Sequence, residues 1–403
     1  MYQTPFAKPF TSPFGSPFDR QKQQVSAPQP APPELNLPRF INYMADMGGC
    51  GHYRILWPEQ VINARGMGVS HSNTGVVGDP NWYTNAKVVQ IQRQAADDHV
   101  RFAEFLHKIK DQAGFKLVYN IDDVPFKEHI PDYNRFKFAF DCDNIRSNVV
   151  NIMKMCDEVI VTCDEMRDIF KDVTGKEEIT VIPNFPPLFW MGHLFNKPKR
   201  YKVWNTHKRK PRILYTGSGA HFDVDHKVGG KDDFEQMIKF IVDTREKYQW
   251  VFVGAAPPPL EPYIQSGQIE VHGWQTLLDY PRKLESLEPT LTIAPLQDNS
   301  FNRAKSDIKY VESAMLGVPC LLQNISTYHT APRECKFVDI KEFEQKVEKL
   351  VKKRDFYYKQ VDKLRKYGTT RFLEHPENIG CFYEAYTTPY GSPERSFLKK
   401  FNK

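Results

Sequence analysis

The sequence predicts an α/β fold in which two doubly wound parallel-sheet domains face each other across a cleft. From residue 38 onward, short apolar runs typical of buried strands alternate with helical stretches, which is the pattern of βαβ units. A basic segment at 197–211 interrupts this alternation, and a second series of strands and helices begins at residue 212. The length of 403 residues also suits two domains of ordinary size.

The first predicted domain covers residues 38–196. Its apolar runs are bounded by polar or turn-forming residues, and they are interpreted as the buried strands of a parallel sheet. Strands are predicted at 39–44, 87–91, 116–121, 158–162 and 179–182. Helices are expected between them, for example at 97–113 and 143–155.

The second predicted domain covers residues 212–386. Strands are predicted at 212–216, 249–254, 268–272, 289–294 and 318–322. Helices at roughly 341–386 are expected to pack on the sheets, and residues 387–403 are expected to form a basic tail. In sheets of this kind ligands bind beyond the carboxyl ends of the strands, so the loops at those ends hold the candidate sites.

Residues 1–37 differ in composition from the rest of the chain. The dipeptide Pro-Phe recurs at 5–6, 9–10, 13–14 and 17–18, and a proline-rich stretch follows. Frequent prolines block both helices and sheet ladders, so this segment is predicted to be a disordered tail. Its exposed phenylalanines suggest a tether for a protein partner, and the alternative is a spacer that binds nothing.

The charge of the chain is unevenly distributed. The formal net charge is +6, but residues 197–212 alone hold eight Lys or Arg and no acid, with Tyr201 and Trp204 among them. Such a strip could follow a polyanion such as DNA. The alternative is a solvated hinge loop between the two domains.

Membrane and extracellular classes are not expected. The sequence has no apolar run of about 18 residues, and its first residues do not follow the pattern of a secretory signal. The seven cysteines form no Cys-x-x-Cys pair, which disfavours a metal cluster or a disulfide framework. A cytoplasmic location is therefore expected.

The segment 301–319 carries the strongest functional signal. Ser306 is predicted to be the N-cap of a short helix that Gly317 ends. Lys305, Lys309 and Glu312 are spaced to lie along one stripe of that helix. Cations near a helix N-terminus favour an anion, because the helix dipole and the free amides add to their charge. The pattern predicts a diphosphate near the entrance of the site and a ribose bound by Glu312.

Two adjacent acids end one of the predicted strands. Asp122 and Asp123 follow Asn120-Ile121, so their carboxylates should lie at the edge of the sheet where ligands bind. Carboxylates there could orient an acceptor hydroxyl or accept its proton. The alternative is an Asx-type turn that caps the next loop.

Glycine-rich turns follow the first strand of each domain. Gly49, Gly51 and His52 follow the first, and Gly217 and Ser218 follow the other. Because glycine lets backbone amides come close to a ligand, both turns are candidate phosphate-binding loops. Plain tight turns between a strand and a helix are the alternative.

Two further residues are assigned to the donor side of the site. Trp274 follows a strand of the second domain and offers a flat face for a nucleobase. Asn302 belongs to the loop that leads into the helix after Ser306. The Asp-x-Asp triplets at 141–143 and 223–225 are interpreted as caps or loop residues, and no metal site is predicted.

Taken together, these features resemble the glycosyltransferases of GT-B architecture, with a second domain similar to the retaining family 4 type. The resemblance spans about residues 38–386 and is carried by four segments: 43–54, 120–123, 157–162 together with 181–184, and 291–319. It implies two Rossmann-like domains facing a cleft. It also implies a nucleotide-sugar donor of the UDP or GDP type held mainly by the second domain, an acceptor held mainly by the first, no tightly bound cofactor and no metal requirement.

The resemblance also assigns roles to single residues. Glu312 matches the second acid of the Glu-x7-Glu element of that family, which contacts the donor ribose, while Ala304 stands where the first acid would be. Lys305 matches the diphosphate-binding cation, and Arg303 flanks the position of the missing acid. Three functions stay open: transfer to a glycan or other cellular acceptor, transfer to a hydroxymethylated DNA base as in some bacteriophage enzymes, and binding without turnover.

Overall fold

The computed structural model describes residues 37–140, 143–191 and 209–401. The predicted Pro-Phe tail lies outside the described residues, as does most of the predicted basic linker, residues 197–208. The described chain forms two parallel six-stranded sheets covered by helices. The predicted α/β architecture with two parallel sheets is therefore confirmed.

The first sheet has the strand order β2-β1-β3-β4-β5-β6, and every pair is parallel. Its strands are β1 (Arg39–Tyr43), β2 (Val69–Asn73), β3 (Ala86–Gln92), β4 (Lys116–Asn120), β5 (Glu158–Val161) and β6 (Ile179–Val181). The order reverses between β1 and β3, so the crevice for a ligand is expected at their carboxyl ends.

The second sheet has the strand order β12-β11-β10-β7-β8-β9 and is also parallel throughout. Its strands are β7 (Arg212–Gly217), β8 (Gln249–Gly254), β9 (Glu270–His272), β10 (Leu291–Ala294), β11 (Cys320–Gln323) and β12 (Lys336–Phe337). Counted from β7, this is the order of a dinucleotide-binding sheet, with its reversal between β7 and β10.

Helices connect the strands on both faces of each sheet. Those of the first half are α1 (Gly49–Gly51), α2 (Trp57–Ala64), α3 (Asp97–Ala113), α4 (Asp143–Met155) and α5 (Asp164–Thr174). Those of the second half are α6 (Ile238–Thr244), α7 (Glu261–Gln265), α8 (Tyr280–Ser286), α9 (Ser300–Arg303), α10 (Ile308–Leu316), α11 (Ile340–Lys352), α12 (Arg354–Gly368) and α13 (Pro376–Thr387). No helix among the described residues is long and apolar enough to cross a bilayer.

Two edge strands were not predicted, β2 and β12. The residues of β2 read Val-Ser-His-Ser-Asn and lack the apolar run of a buried strand. The strand is held by polar contacts instead: the backbone amide of Ser70 donates to Asn63 at 2.7 Å, and Asn42 donates to the hydroxyl of Ser70 at 3.0 Å. Strand β12 has only two residues, which is too short to leave a periodic pattern.

The last helix crosses back from the second half to cover the first sheet. Tyr386 of α13 accepts a hydrogen bond from Gln90 of β3 at 3.2 Å, and its ring packs 5.7 Å from that of Phe40 in β1. Just before α13, the amide of Leu373 donates to the carbonyl of Pro186 at 2.9 Å. The two chain segments that connect the halves therefore touch each other.

The segment predicted to be a basic tail packs on the first sheet as far as residue 401. Arg395 donates from both terminal nitrogens to the fully buried carboxylate of Glu158, at 2.8 and 2.5 Å. Lys116 pairs with the same carboxylate, and burial lowers the pKa of this lysine. This buried cluster fixes the chain after α13 to the start of β5.

Arg395→Ala is expected to lower the free energy of unfolding by about 3 kcal/mol, because it leaves a buried carboxylate with one cation fewer. Urea unfolding of the variant and the wild-type protein would measure the difference. Lys399→Ala is the control, since the exposed Lys399 donates only to the carbonyl of Pro393. Equal stability of the Arg395 variant and the control would contradict the anchoring role of the cluster.

Candidate active site

A cavity of about 190 Å³ lies between the carboxyl ends of the two sheets. The first half contributes the side chains that follow β4 and β6, and the second half contributes those that follow β7 and β10 and those that begin α10. The lining includes Asp122, Asp123, Asn184, His221, Lys305, Ser306 and Lys309. The cavity therefore opens at the strand-order reversal of the second sheet, where a ligand is expected.

The start of α10 differs from the prediction. The helix begins at Ile308, and Asp307, not Ser306, occupies the N-cap position without a side-chain capping bond. The Asp307 carboxylate is turned away, since it accepts from Arg371 at 2.8 Å and from Tyr367 at 2.5 Å. Its salt bridge to the segment after α12 thus takes the place of a capping bond. The predicted helix end is confirmed, because Gly317 has a φ of 65°.

Ser306 instead joins the two halves of the chain. Its hydroxyl accepts a hydrogen bond of 3.2 Å from the amide of Asn184. Asn184 in turn accepts from the buried Arg54 at 3.1 Å, and Arg54 also donates to Asn120 at 2.9 Å. Burial lowers the pKa of Arg54 to about 10. Arg54 therefore holds Asn120 and Asn184 in place beneath the cavity and does not bind a ligand directly.

Lys305 is a cation of the cavity without an ion pair in the described part of the chain. Its ammonium group lies 4.3 Å from the centre of the Phe301 ring, where the π electrons attract it. It lines both the cleft and a neighbouring cavity of about 380 Å³. The positive charge of Lys305 is therefore available to an anion that enters the cavity.

The other two predicted cations are already paired. Arg303 lies 2.9 Å from Asp298 and 3.4 Å from Glu165, and it lines the larger neighbouring cavity, not the cleft. Lys309 donates to Thr216 at 2.9 Å and to Glu312 at 3.0 Å. Of the three predicted cations, Lys305 thus differs from Arg303 and Lys309 in having no ion pair among the described residues.

Glu312 lies deeper than Lys305 and is 9% exposed. One oxygen, Oε2, accepts from Lys309, from Tyr280 at 3.0 Å and from Thr216 at 3.3 Å. These donors hold the carboxylate beside the middle of α10, next to Thr216 near the end of β7. The predicted ribose contact would have to use its other oxygen.

The two acids after β4 face the cations across the cavity. One oxygen of Asp122 is buried and has no hydrogen-bond partner among the residues that the structure describes. Burial raises the pKa of Asp122, and the neighbouring charge of Asp123 adds to the rise. Asp123 lies 3.8 Å from Arg93, which partly compensates its charge. A carboxylate with a raised pKa and a free oxygen is suited to accepting a proton.

Two of the amides in the turn after β1 are bonded within the turn itself. The carboxylate of Asp46 accepts from the amides of Gly48 at 2.7 Å and Gly51 at 3.3 Å. A Cβ at Gly51 would lie 1.8 Å from the carbonyl oxygen of Asp46, so glycine is needed there for close backbone packing. The Nδ1 of His52 is bonded to the carbonyl of Gly48 at 2.9 Å, and a Cβ at Gly49 would meet no atom within 4 Å. None of the three predicted residues lines the cleft.

Glycines at the ends of β7 and β8 allow close packing at the turn after β7. A Cβ at Gly217 would lie 2.3 Å from the hydroxyl of Tyr215, and one at Gly254 would lie 2.3 Å from the carbonyl of Gly217. Ser218 caps the short 3-10 turn Gly219–His221 by accepting from the amide of Ala220 at 3.3 Å. Trp274 adjoins Gly254 and is 77% exposed, so its face is open to a ligand.

Asn302 is 1% exposed and belongs to a buried polar cluster that the sequence analysis missed. At the centre of this cluster is the carboxylate of Asp233, which accepts from Asn302 and from Tyr133, both at 2.7 Å. Tyr133 belongs to the first half, and Asn302 also donates to its hydroxyl at 3.0 Å. The amide nitrogen of Asn302 therefore supports the loop, while its Oδ1 is buried without a hydrogen-bond partner among the described residues.

His221 completes the cluster. Its Nδ1 lies 2.6 Å from the second oxygen of Asp233, and its ring lines the cavity. The sequence offers His221, with Lys227 and Lys231, as a residue that could add charge to the turn after β7, but it does not predict the bond to Asp233, which is twelve positions away in a loop without regular structure.

Among the described residues, no group of three or more His, Cys, Asp or Glu side chains is arranged to hold a metal ion. In the triplet at 223–225, Asp223 accepts from three backbone amides of its own loop, those of Lys227, Val228 and Gly230. Asp223 therefore organises the loop. Of the other triplet, residues 141 and 142 lie outside the described residues.

Comparison with known proteins supports the fold. No family model matches the chain, and no curated protein sequence matches it. A glycosyltransferase from Rickettsia africae ESF-5 is structurally similar, with a TM-score of 0.57 and 11% identity over 88% of this chain and 99% of that one. At this identity the likeness establishes a shared fold and nothing more.

Two other solved structures align less closely. A mutant of BGT from T4 phage in complex with UDP-glucose matches with a TM-score of 0.46 and 10% identity over 87% of this chain and 99% of that one. The wall teichoic acid polymerase TagF matches with a TM-score of 0.43 and 10% identity over 91% of both chains. Neither score is high enough to support an assignment.

Tyr133→Phe is expected to lower the free energy of unfolding by about 2 kcal/mol, because it removes a donor from a buried carboxylate and an acceptor from the amides of Asn302 and Asn299. Thermal or urea unfolding would measure the loss. Tyr390→Phe, at an exposed position, is the matched control. If both variants were as stable as the wild-type protein, the cluster around Asp233 would not hold the halves together.

Proposed function

We propose that this protein is a glycosyltransferase that moves a sugar from a nucleotide-sugar donor to an acceptor hydroxyl. One observation carries the proposal: a single cavity between two parallel sheets has carboxylates on one side and an unpaired lysine at a helix start on the other. Transfer of a glycosyl group needs both, since one substrate loses a proton while the other releases an anion. The shared fold of the Rickettsia africae glycosyltransferase agrees with this reading.

The donor side of the proposed reaction rests on Lys305. Cleavage of the bond between sugar and phosphate puts negative charge on the departing diphosphate. The ammonium group of Lys305 and the free amides at the start of α10 would stabilise that charge as it develops. Trp274 would stack on the nucleobase, and Glu312 would hold the ribose, with a donor of the UDP or GDP type.

The acceptor side rests on the pair of acids after β4. Asp122 has a raised pKa and an unpartnered oxygen, which suits it to accept a proton from the attacking hydroxyl. Asp123 would orient the same hydroxyl. A retaining outcome is proposed from the resemblance to the family 4 type, and the configuration of the product at its anomeric carbon would test it.

The proposal is tested by incubating the protein with a panel of hexosyl and pentosyl donors of the UDP and GDP types. Glycan acceptors and hydroxymethylated DNA would be supplied in separate reactions and analysed by mass spectrometry. Mass added to either acceptor supports the proposal and identifies the acceptor class. Release of no nucleoside diphosphate from any donor would favour a binding protein without turnover.

Lys305→Ala is expected to reduce transfer about 100-fold, since it removes the charge that stabilises the leaving diphosphate. Initial rates at a saturating acceptor concentration would measure the loss, and circular dichroism would show that the fold is kept. Lys108→Ala, at an exposed position of α3, should leave the rate unchanged. Unaltered turnover in the Lys305 variant would refute the anion site.

Glu312→Gln is expected to raise the KM for the donor about 10-fold, because a neutral amide is a weaker acceptor for ribose hydroxyls. The change keeps the size of the side chain next to Tyr280 and Thr216. Steady-state kinetics with varied donor would measure it. A KM equal to that of the wild-type protein would remove Glu312 from the ribose role.

A further inference from the structure

We propose that His221 binds the diphosphate of the donor as an imidazolium, taking up a proton when the donor enters the cleft, and that Asp233 is the positioning residue that aims it. The proposal rests on the proposed function and adds a second cation to the anion site. This cation would be present only while the ligand is bound.

The position of His221 is the first argument. The residue ends the 3-10 turn Gly219–His221 that follows β7, next to the strand-order reversal of the second sheet. Its ring lines the same cavity as Lys305 and Lys309. One ring nitrogen, Nδ1, is bonded to Asp233, whereas the other makes no hydrogen bond within the described residues. The free nitrogen is therefore the one available to a ligand.

The rigidity of Asp233 is the second argument. This carboxylate is unexposed and accepts three further hydrogen bonds of 2.7 Å, from the hydroxyl of Tyr133, the amide of Asn302 and the backbone of Gln297. It cannot turn without breaking these bonds. A fixed carboxylate beside Nδ1 keeps the proton on that nitrogen, so the neutral ring presents an unprotonated Nε2 to the cavity.

The charges around the ring are the third argument. Burial lowers the pKa of His221, and the ammonium groups of Lys305 and Lys309 lower it further, against the opposing effect of Asp233. The other titratable groups of the cavity wall are Asp122, Asp123, Tyr215 and Tyr328, and the Arg135 side chain packs on Gly219 of the same turn. In the free protein the ring is thus held neutral mainly by burial, with help from the two lysines.

A bound diphosphate would favour the protonated form of His221. Its negative charges would neutralise the lysines and favour a positive charge on the ring. The ring then takes a proton from solvent onto Nε2 and donates that N–H to a phosphate oxygen. The bond strengthens as charge builds on the leaving diphosphate. When the diphosphate departs, the proton returns to solvent, so no net proton is consumed.

Isothermal titration calorimetry with UDP and GDP tests the proposal. Titrations at about pH 7.5, where a terminal phosphate with a pKa of about 6 is already ionised, are run in HEPES and in Tris, which differ in ionisation enthalpy. We expect an uptake that approaches one proton for each diphosphate bound, and an affinity that rises as the pH falls. Equal binding enthalpies in the two buffers would overturn the proposal.

Variants identify the residue that takes up the proton. His221→Gln should abolish the uptake and weaken diphosphate binding about 10-fold. His272→Gln should change neither, since His272 has a similar carboxylate partner, Glu270 at 2.6 Å, but does not line the cavity. Uptake that persists in the His221 variant would assign the proton to another group and overturn the proposal.

Nucleotide binding and proton uptake can fail separately. If the wild-type protein bound neither UDP nor GDP, both the nucleotide-sugar function and the role of His221 would be overturned. If it bound one of them without proton uptake, the role of His221 alone would be overturned.

Discussion

The arrangement of the cleft depends on one buried carboxylate. Asp233 accepts hydrogen bonds from Tyr133 of the first half and from Gln297, Asn302 and His221 of the second. An unpaired charge at this depth would cost several kcal/mol, so the groups that surround Asp233 are held together by its need for donors. One residue therefore fixes a loop of each half and the orientation of the imidazole that faces the cavity.

The cleft separates charge in a way that suits transfer between two substrates. On the first sheet, Asp122 keeps an oxygen without a partner although it is buried. On the second, Lys305 has no carboxylate partner within residues 37–140, 143–191 and 209–401, while Arg303 and Lys309 are paired. Unsatisfied groups of opposite charge are costly in a folded protein and are retained chiefly where a ligand completes them.

Local pattern predicted the architecture because buried parallel strands and their connecting helices leave short-range signals. Local pattern did not predict the elements whose structure depends on contacts with residues far away in the chain. The strand β2 has a polar sequence and is held by Asn42 and Asn63. Ser306 looked like an N-cap, but Asp307 takes that position because Arg371 and Tyr367 hold its carboxylate elsewhere.

The candidate site was predicted in part for the same reason. Asp122, Asp123, Lys305, Ser306 and Lys309 line one cavity, as their places at strand ends and at a helix start suggest. The glycine turn after β1 was misleading, because a glycine needed for close backbone packing looks the same in sequence as one that admits a phosphate. Asp233 could not be found, since its partner Tyr133 lies 100 positions away.

The hydrogen bond between Leu373 and Pro186 has a mechanical consequence. The chain passes between the halves after β6 and again before α13, and this bond joins the two segments together with the one that the amide of Leu188 donates to Glu374 at 2.7 Å. If one half turned about these two bonds to widen the cleft, the bonds that cross the cleft from Asn184 to Ser306 and from Tyr133 to Asp233 would have to break.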